Sequence, residues 1–369
     1  MGKKIGIVTW YGGSNYGTSL QAFALYYKIK QLGATPYLLK KYLTWRNVVG
    51  KFLRSVTRST QIPALYGLSQ AKKHKIKCFR KRNFNQFILC FGFIGKVLYS
   101  RQIRSLNSII SGSDQLWNPY YTEPYLLLEG LKIKKFSYAS SIGVTQIPKD
   151  KQILYRRALP EFSAISVRES SAIPILKEFY SREIFKVVDP TFLLAKNDWE
   201  KFADETSQLD RNRFTNRYIL CYFIAENDFY WDQVQELQRR ENITRVIVLP
   251  MKSSHFRKQY EMIEDAGIND FVYLIKQSAL VCTDSFHATA ISINLEKNFF
   301  VFPRFKKTEL GSQNSRLIDL LSRYGLQDRF LRVIPENFPQ KINYPKVQGL
   351  LEMDRFESIS YLNRIIEES

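Results

Sequence analysis

Acidic residues are missing from the first 113 positions of the chain: the first carboxylate is Asp114, and the stretch before it holds 20 Lys and Arg. The formal net charge of +21 therefore sits largely in the first third. A field of one sign draws anionic partners, whether phosphates, anionic lipid headgroups or nucleic acid, and charge alone does not choose among them. The densest run is Lys72, Lys73, Lys75, Lys77, Arg80, Lys81 and Arg82. It reads as a docking face for an anionic cytoplasmic membrane surface, with a merely solvated helical face as the plain alternative.

Cysteine is scarce too. Cys78, Cys90, Cys221 and Cys282 show no paired metal-ligand spacing and are too few to frame 369 residues with disulfides, which fits a reducing cytoplasm. No stretch approaches the roughly 20 apolar residues that span hydrocarbon; the segment from Phe87 to Tyr99 is short and carries Lys96. The N-terminus reads as a strand entering a glycine-rich turn and not as a secretion signal. A peripheral protein at the inner face of the cell membrane is the expectation. There is no dinucleotide fingerprint, P-loop lysine motif or zinc-protease helix, and no His, Cys and carboxylate cluster for zinc, so neither metal nor cofactor is expected.

What is present is α/β signage. Lys4 to Trp10 is a β-branched strand, and Gly12-Gly13-Ser14-Asn15-Tyr16-Gly17 is a turn. A helix from Thr18 or Ser19 follows, burying one face through Leu20, Phe23, Ala24 and Tyr27. Gly33 ends it, and Ala34 to Leu39 is a second strand. Arg46 to Arg104 is helical in pattern and very basic. Further strands are expected at Ser108 to Ser111, Lys135 to Ala139, Ala164 to Val167 and Phe185 to Val188, then at Tyr218 to Ile224, Arg245 to Pro250, Leu280 to Cys282 and Phe299 to Phe302. The polar stretch from Glu205 to Arg217 separates two units. The expected domains are 1–195, 196–345 and a C-terminal helix in 346–369 that packs back on the first, with the working site between strand ends.

Chemistry-bearing residues fall at those strand ends. The loop containing Gly13, Asn15, Tyr16 and Gly17 offers backbone N–H groups and a helix start to an anion or a sugar, and reads equally as an ordinary turn. Asp114 follows a strand, where it orients a ligand hydroxyl or caps the next turn. Arg168, directly after a strand, offers a planar fork to a carboxylate or phosphate, or pairs with its neighbour Glu169. His287 is one of three histidines and lies just past Asp284 and Ser285, placed to move a proton. Its plain alternative is a buried helix-start histidine. His255 sits in another strand-end loop with Lys252 and Ser253. Arg304, Lys306 and Lys307 follow a later strand and supply cations beside His287.

Several of these residues belong to segments that resemble the polysaccharide pyruvyl transferase family. The segments are Asn15-Tyr16-Gly17 with Leu20 to Leu25, Gly112 to Pro119, Ser137 to Gly143, Ser166-Val167-Arg168-Glu169, Asp189-Pro190-Thr191 with Leu193-Leu194, and Thr283 to Thr289. Each is weak alone; six in this order are specific. The resemblance implies two Rossmann-like domains facing a cleft, as in GT-B glycosyltransferases. It also implies phosphoenolpyruvate as donor, and as acceptor a surface glycan or its polyprenyl-diphosphate-linked precursor. Arg168 then engages the donor. His287 protonates the enol carbon or deprotonates the attacking hydroxyl, and loss of phosphate with attack by a second hydroxyl closes a ketal. Some members carry Arg-Leu-His where this chain has Ser285-Phe286-His287, so Arg304 or Lys306 is read as the replacement cation. The rival readings are a nucleotide-sugar-dependent GT-B glycosyltransferase, a nucleic-acid-binding protein and a structural protein at a membrane surface. Nucleic acid is not the expected partner.

Overall fold

The computed structural model describes residues 2–41, 69–87, 92–206, 209–257, 259–304, 314–337 and 341–369. Lys306, Lys307, Cys90 and much of the basic stretch after Arg46 lie outside them.

The first sheet holds β1 (Lys4–Val8), β2 (Thr35–Leu38), β3 (Ser108–Ser111) and β4 (Lys134–Ser137) in the order β2-β1-β3-β4. A parallel pair, β5 (Ile165–Val167) and β6 (Ile184–Lys186), continues it through parallel bridges from Phe136 to Ala164 and from Ser140 to Val167. The second sheet is ordered β11-β10-β7-β8-β9, from β7 (Ile219–Tyr222), β8 (Val246–Val248), β9 (Glu261–Met262), β10 (Leu280–Thr283) and β11 (Phe299–Val301). Every pairing is parallel. Parallel strands are covered on both faces, which is why β1, β3, β7 and β10 are apolar or small nearly throughout. Only β9, two residues long, has no counterpart in the sequence reading.

In chain order the helices are α1 (Tyr16–Gln31), α2 (Gln70–Asn83), α3 (Gly92–Arg104), α4 (Lys149–Ala158), α5 (Ala172–Lys177) and α6 (Lys196–Thr206). Then come α7 (Phe229–Glu241), α8 (Ile268–Gln277), α9 (Phe286–Asn294), α10 (Ser315–Arg323) and α11 (Tyr344–Glu367). Helix α1 starts at Tyr16, earlier than the periodicity suggests, because Asn15 caps it: the Asn15 carboxamide oxygen accepts from Gly17 N at 2.9 Å. It is also not one-faced. Twelve of its 16 residues are buried, while Tyr27, expected in the core, is exposed. A helix buried nearly all round lies at the centre of a protein, and α1 does so, packed against α8 and α9 of the second unit.

One apolar core therefore runs through both units. At its middle Tyr16 stacks on Phe271 at 4.6 Å between centroids and meets Tyr222 edge-on. Helix α11 ties the units from outside. Tyr361 OH donates to Ser137 O (2.9 Å), Val188 N donates to Ser358 Oγ (2.9 Å), and Gln348 Nε2 donates to Ile293 O (3.0 Å).

Both sheets have the order in which the chain leaves one side of a central strand and returns on the other, between β1 and β3 and between β7 and β10. Ligands bind outside the carboxyl ends of strands at such switch points. The chain emerging there is residues 9–17 and 112–118 in the first sheet, and 223–225 and 284–287 in the second.

Candidate functional site

Asp189 lies at the middle of these strand ends. It follows β6, caps the turn Pro190–Leu193, and is buried. One carboxylate oxygen accepts from Thr191 N (3.0 Å) and Thr191 Oγ1 (2.7 Å). The other accepts from Arg168 Nη1 at 2.7 Å and Ser113 Oγ at 3.3 Å, and stands 3.5 Å from His287 Nε2, an approach of ion-pair length but not a closed hydrogen bond. Burial alone would raise the pKa of this carboxyl; His287, Arg168 and the Thr191 amide outweigh it and hold the group well below the usual carboxylate range.

Arg168, after β5, is held on three sides. Its Nε donates to Glu169 Oε1 at 3.0 Å, its Nη1 to Asp189, and its plane lies over the Phe286 ring at 4.1 Å. Burial lowers its pKa, but Glu169, Asp189 and Asp114 more than restore it. The third nitrogen, Nη2, is buried without a hydrogen-bond partner.

His287 is the second residue of α9, with Ser285 as the cap: Ser285 Oγ accepts from Ala288 N at 3.4 Å. The N–H groups of Phe286 and His287 have no acceptor within the helix, and the helix dipole favours an anion there. The imidazole lies along the backbone of α1. A Cβ built on Gly17 would stand 2.6 Å from His287 Cγ and closer still to Nδ1. Glycine at 17 is therefore a requirement of close approach, where the sequence suggested an anion- or sugar-binding loop or an ordinary turn.

Asp114 is close enough to act electrostatically on both Arg168 and Arg316. Its own carboxylate accepts from Gln115 N at 2.9 Å, so it does cap the following turn, and it does so at φ 74°, a strained value for a non-glycine residue. Arg304 is committed to Asp284: Nη2 donates to Asp284 O at 2.9 Å, and Nε lies 3.4 Å from Asp284 Oδ2. Asp284 in turn accepts from Ile224 N and Ala225 N, joining β7 to β10.

Four expectations change on this geometry. The Tyr16 hydroxyl is spent on Ala266 O at 3.0 Å and its ring is fully buried, so Tyr16 joins the two units and presents no ligand surface. Gly13 is exposed at φ 99°, and a Cβ built on it would meet nothing within 4 Å, so it lines no enclosed space. His255 is buried, with Nδ1 accepting from Met251 N and Nε2 facing Ala225 O at 2.9 Å; both ring nitrogens are used by the backbone. The lysine run is not a uniform surface either. Lys72 is buried over the Tyr16 ring at 4.3 Å, and Lys75 pairs with Asp265 (3.1 Å) and Asp270 (3.2 Å), which leaves Lys73, Lys77 and Lys81 exposed of the run's five lysines.

Arg316 had no signal in the sequence. It enters the cluster from the first turn of α10, buried, and burial followed by the charge of Arg168 lowers its pKa to about 9. Arginine is effectively always charged, so an anion arriving here would relieve the strain of holding it in the interior. Among the described residues no group of three or more His, Cys, Asp or Glu is arranged to hold a metal, and no helix is long and apolar enough to cross a membrane.

Solved structures share this architecture. A UDP-GlcNAc 2-epimerase from Methanocaldococcus jannaschii is similar over 100% of both chains, at 12% identity and TM-score 0.54. A putative UDP-N-acetylglucosamine 2-epimerase from Listeria monocytogenes is similar over 98% of this chain and 91% of its own, at 10% identity and TM-score 0.50. The S. aureus MnaA–UDP co-structure is similar over 97% and 90%, at 12% identity and TM-score 0.50. The architecture is thus the two-unit α/β arrangement of GT-B glycosyltransferases and these epimerases. No curated protein matches the chain in sequence. The partner expectation is corrected on these neighbours: UDP and UDP-sugars, not phosphoenolpyruvate, are what their descriptions carry. With the family match over residues 15–304, the protein is a sugar-modifying enzyme. Residues 15–304, which include Asp114, Arg168, Asp189 and His287, match the family model described as polysaccharide pyruvyl transferase, and the chain belongs to that family.

Proposed function

We propose that the protein is a sugar-modifying transferase that holds the diphosphate of a nucleotide sugar at the start of α9, with Arg168 and Arg316 beside it and His287 moving the proton. The observation that carries this reading is Arg168 Nη2, a buried donor without a hydrogen-bond partner beside Phe286 at the N-terminus of α9, between the two sheets. An unmet donor buried at a helix start suits an anion. The UDP of the S. aureus neighbour supports a nucleotide as its source.

The chemistry asked of each residue is limited. The backbone N–H groups of Phe286 and His287 and the two guanidiniums stabilise negative charge gathering on a departing phosphate. Asp189 orients the imidazole from its Nε2 side, and His287 takes the proton of the attacking hydroxyl.

A second reading, transfer of a pyruvyl group to two hydroxyls of a sugar, is favoured by the family match, which contains both Arg168 and His287. The two readings separate in one experiment. The protein is incubated with a panel of UDP-sugars and glycoside acceptors, with and without added phosphoenolpyruvate, and products are read by mass spectrometry. Glycosylated acceptor with release of UDP supports the first reading. A mass gain of about 70 Da that requires phosphoenolpyruvate supports the second. In either case His287→Ala should lower turnover by about 10²-fold or more, and undiminished turnover in a folded variant removes His287 from the chemistry.

A further inference from the structure

Next to the Arg168 cluster is a cavity of about 540 Å³, within the roughly 300–1,000 Å³ of small-molecule sites. The segments after β5 and β6 form one wall, α10 and α11 the other, and Arg168, Asp189, Phe286 and Arg316 are shared with the site already described. Phe192 and Tyr324, 5.9 Å apart between centroids, add aromatic surface.

Three polar atoms around this cavity are buried with no hydrogen-bond partner: Glu169 Oε2, Asp319 Oδ2 and Arg168 Nη2. Leaving such atoms unmet is unfavourable by about 1–3 kcal/mol each, so a native structure holding three around one space is built for something that meets them. They demand two donors and one acceptor. A phosphate or carboxylate answers Arg168 but meets two carboxylates. An amine answers the carboxylates but not Arg168. A hydroxyl both donates and accepts, and a sugar ring carries several at neighbouring positions with apolar C–H faces for the aromatic wall. The two carboxyls are electrostatically in touch: burial first, then the charge of Glu169, raises the Asp319 pKa.

We propose that this cavity is the subsite for the sugar that receives the transferred group, with Glu169 and Asp319 accepting from its ring hydroxyls and one N–H of Arg168 Nη2 donating to one of them while the other serves the anion. It deepens the sugar-modifying reading and rests on it, and it adds Asp319, on α10, as a specificity-determining residue.

The experiment measures sugar binding and nucleotide binding separately, so that failure of either can be told apart. Methyl glycosides of glucose, galactose, mannose and N-acetylglucosamine are titrated into the intact protein and read by saturation-transfer NMR, and UDP is titrated by calorimetry. Asp319→Leu is compared with the parent, and Asp319→Asn guards against a folding defect, both checked by melting temperature. The expected result is that at least one glycoside binds the parent, that Asp319→Leu weakens it about 10-fold, as for loss of a hydrogen bond to a charged group, and that Asp319→Asn does so to a smaller degree, with UDP affinity unchanged. Absence of glycoside binding to the parent, equal glycoside affinity in parent and variants, or a parallel loss of UDP and glycoside binding each overturns the subsite. Failure of UDP to bind any form, with the glycoside result intact, counts against the nucleotide reading alone.

Discussion

Gly17 and His287, 270 positions apart in the chain, are packed so tightly that the imidazole occupies the space a side chain at 17 would need. The contact joins the first turn of α1 to the first turn of α9, and so the switch point of one sheet to that of the other.

Gly17→Ala tests that contact. The new methyl forces the His287 ring away from Asp189, because the overlap involves its Cβ and Cγ as well as Nδ1 and no rotation about χ2 relieves all three. Overpacking of this kind is unfavourable by about 1–3 kcal/mol. Turnover should fall at least as far as in His287→Ala while the protein remains folded by circular dichroism; parent-like turnover would show that the histidine position is not critical.

Asp189→Asn should destabilise the protein by about 3–5 kcal/mol at neutral pH, since it removes the buried anion between Arg168 and His287. The folded pKa of Asp189 is depressed below its unfolded value of about 3.9, so its contribution is fully present above that value and is lost as pH falls through the folded pKa. The melting-temperature gap between parent and variant should be widest above pH 5 and narrow towards pH 2. A gap independent of pH would locate the effect in packing.

Lys72→Met carries the opposite sign. Desolvation lowers the Lys72 pKa to about 8, so at pH 7 the folded state holds a charge that water would hold better. Above pH 8 the folded lysine sheds its proton before the unfolded one, near 10.4, and the parent gains stability. Lys72→Met should therefore stabilise the protein at pH 7 by about 1–3 kcal/mol, less the cation–π contact with Tyr16, and the advantage should shrink between pH 8 and pH 10. Destabilisation at pH 7 would mean that the Tyr16 contact outweighs burial.

The parts of this structure legible in the sequence are those set by local chemistry. The strands of the switch points announce themselves as apolar runs, and Arg168, Ser285 and His287 stand directly after such runs, where the fold brings the two strand ends together. Asp189 was visible as the start of Asp189-Pro190-Thr191, but nothing local says that its carboxylate is shared by residues 21 positions before it and 98 after. Arg316 has no local mark at all, because only the packing of α10 on the cluster makes it buried. Lys72 misleads for the same reason. In a run of basic residues it looks solvated, and the ring that covers it belongs to α1.

The central claim is that Arg168, held by Glu169 and Asp189 with one nitrogen free, recognises an anion in the cleft, and calorimetric titration of UDP into the parent and Arg168→Lys tests it most directly. Lysine keeps the charge but cannot reproduce the planar fork that meets both carboxylates and aims a nitrogen at the cleft. UDP should bind the parent and bind Arg168→Lys about 10-fold more weakly or worse, as for loss of a charge-assisted hydrogen bond, with the variant folded by circular dichroism and its melting temperature lowered by the loss of a buried pair. Equal UDP affinity in the two proteins, or no UDP binding by the parent, would contradict the account.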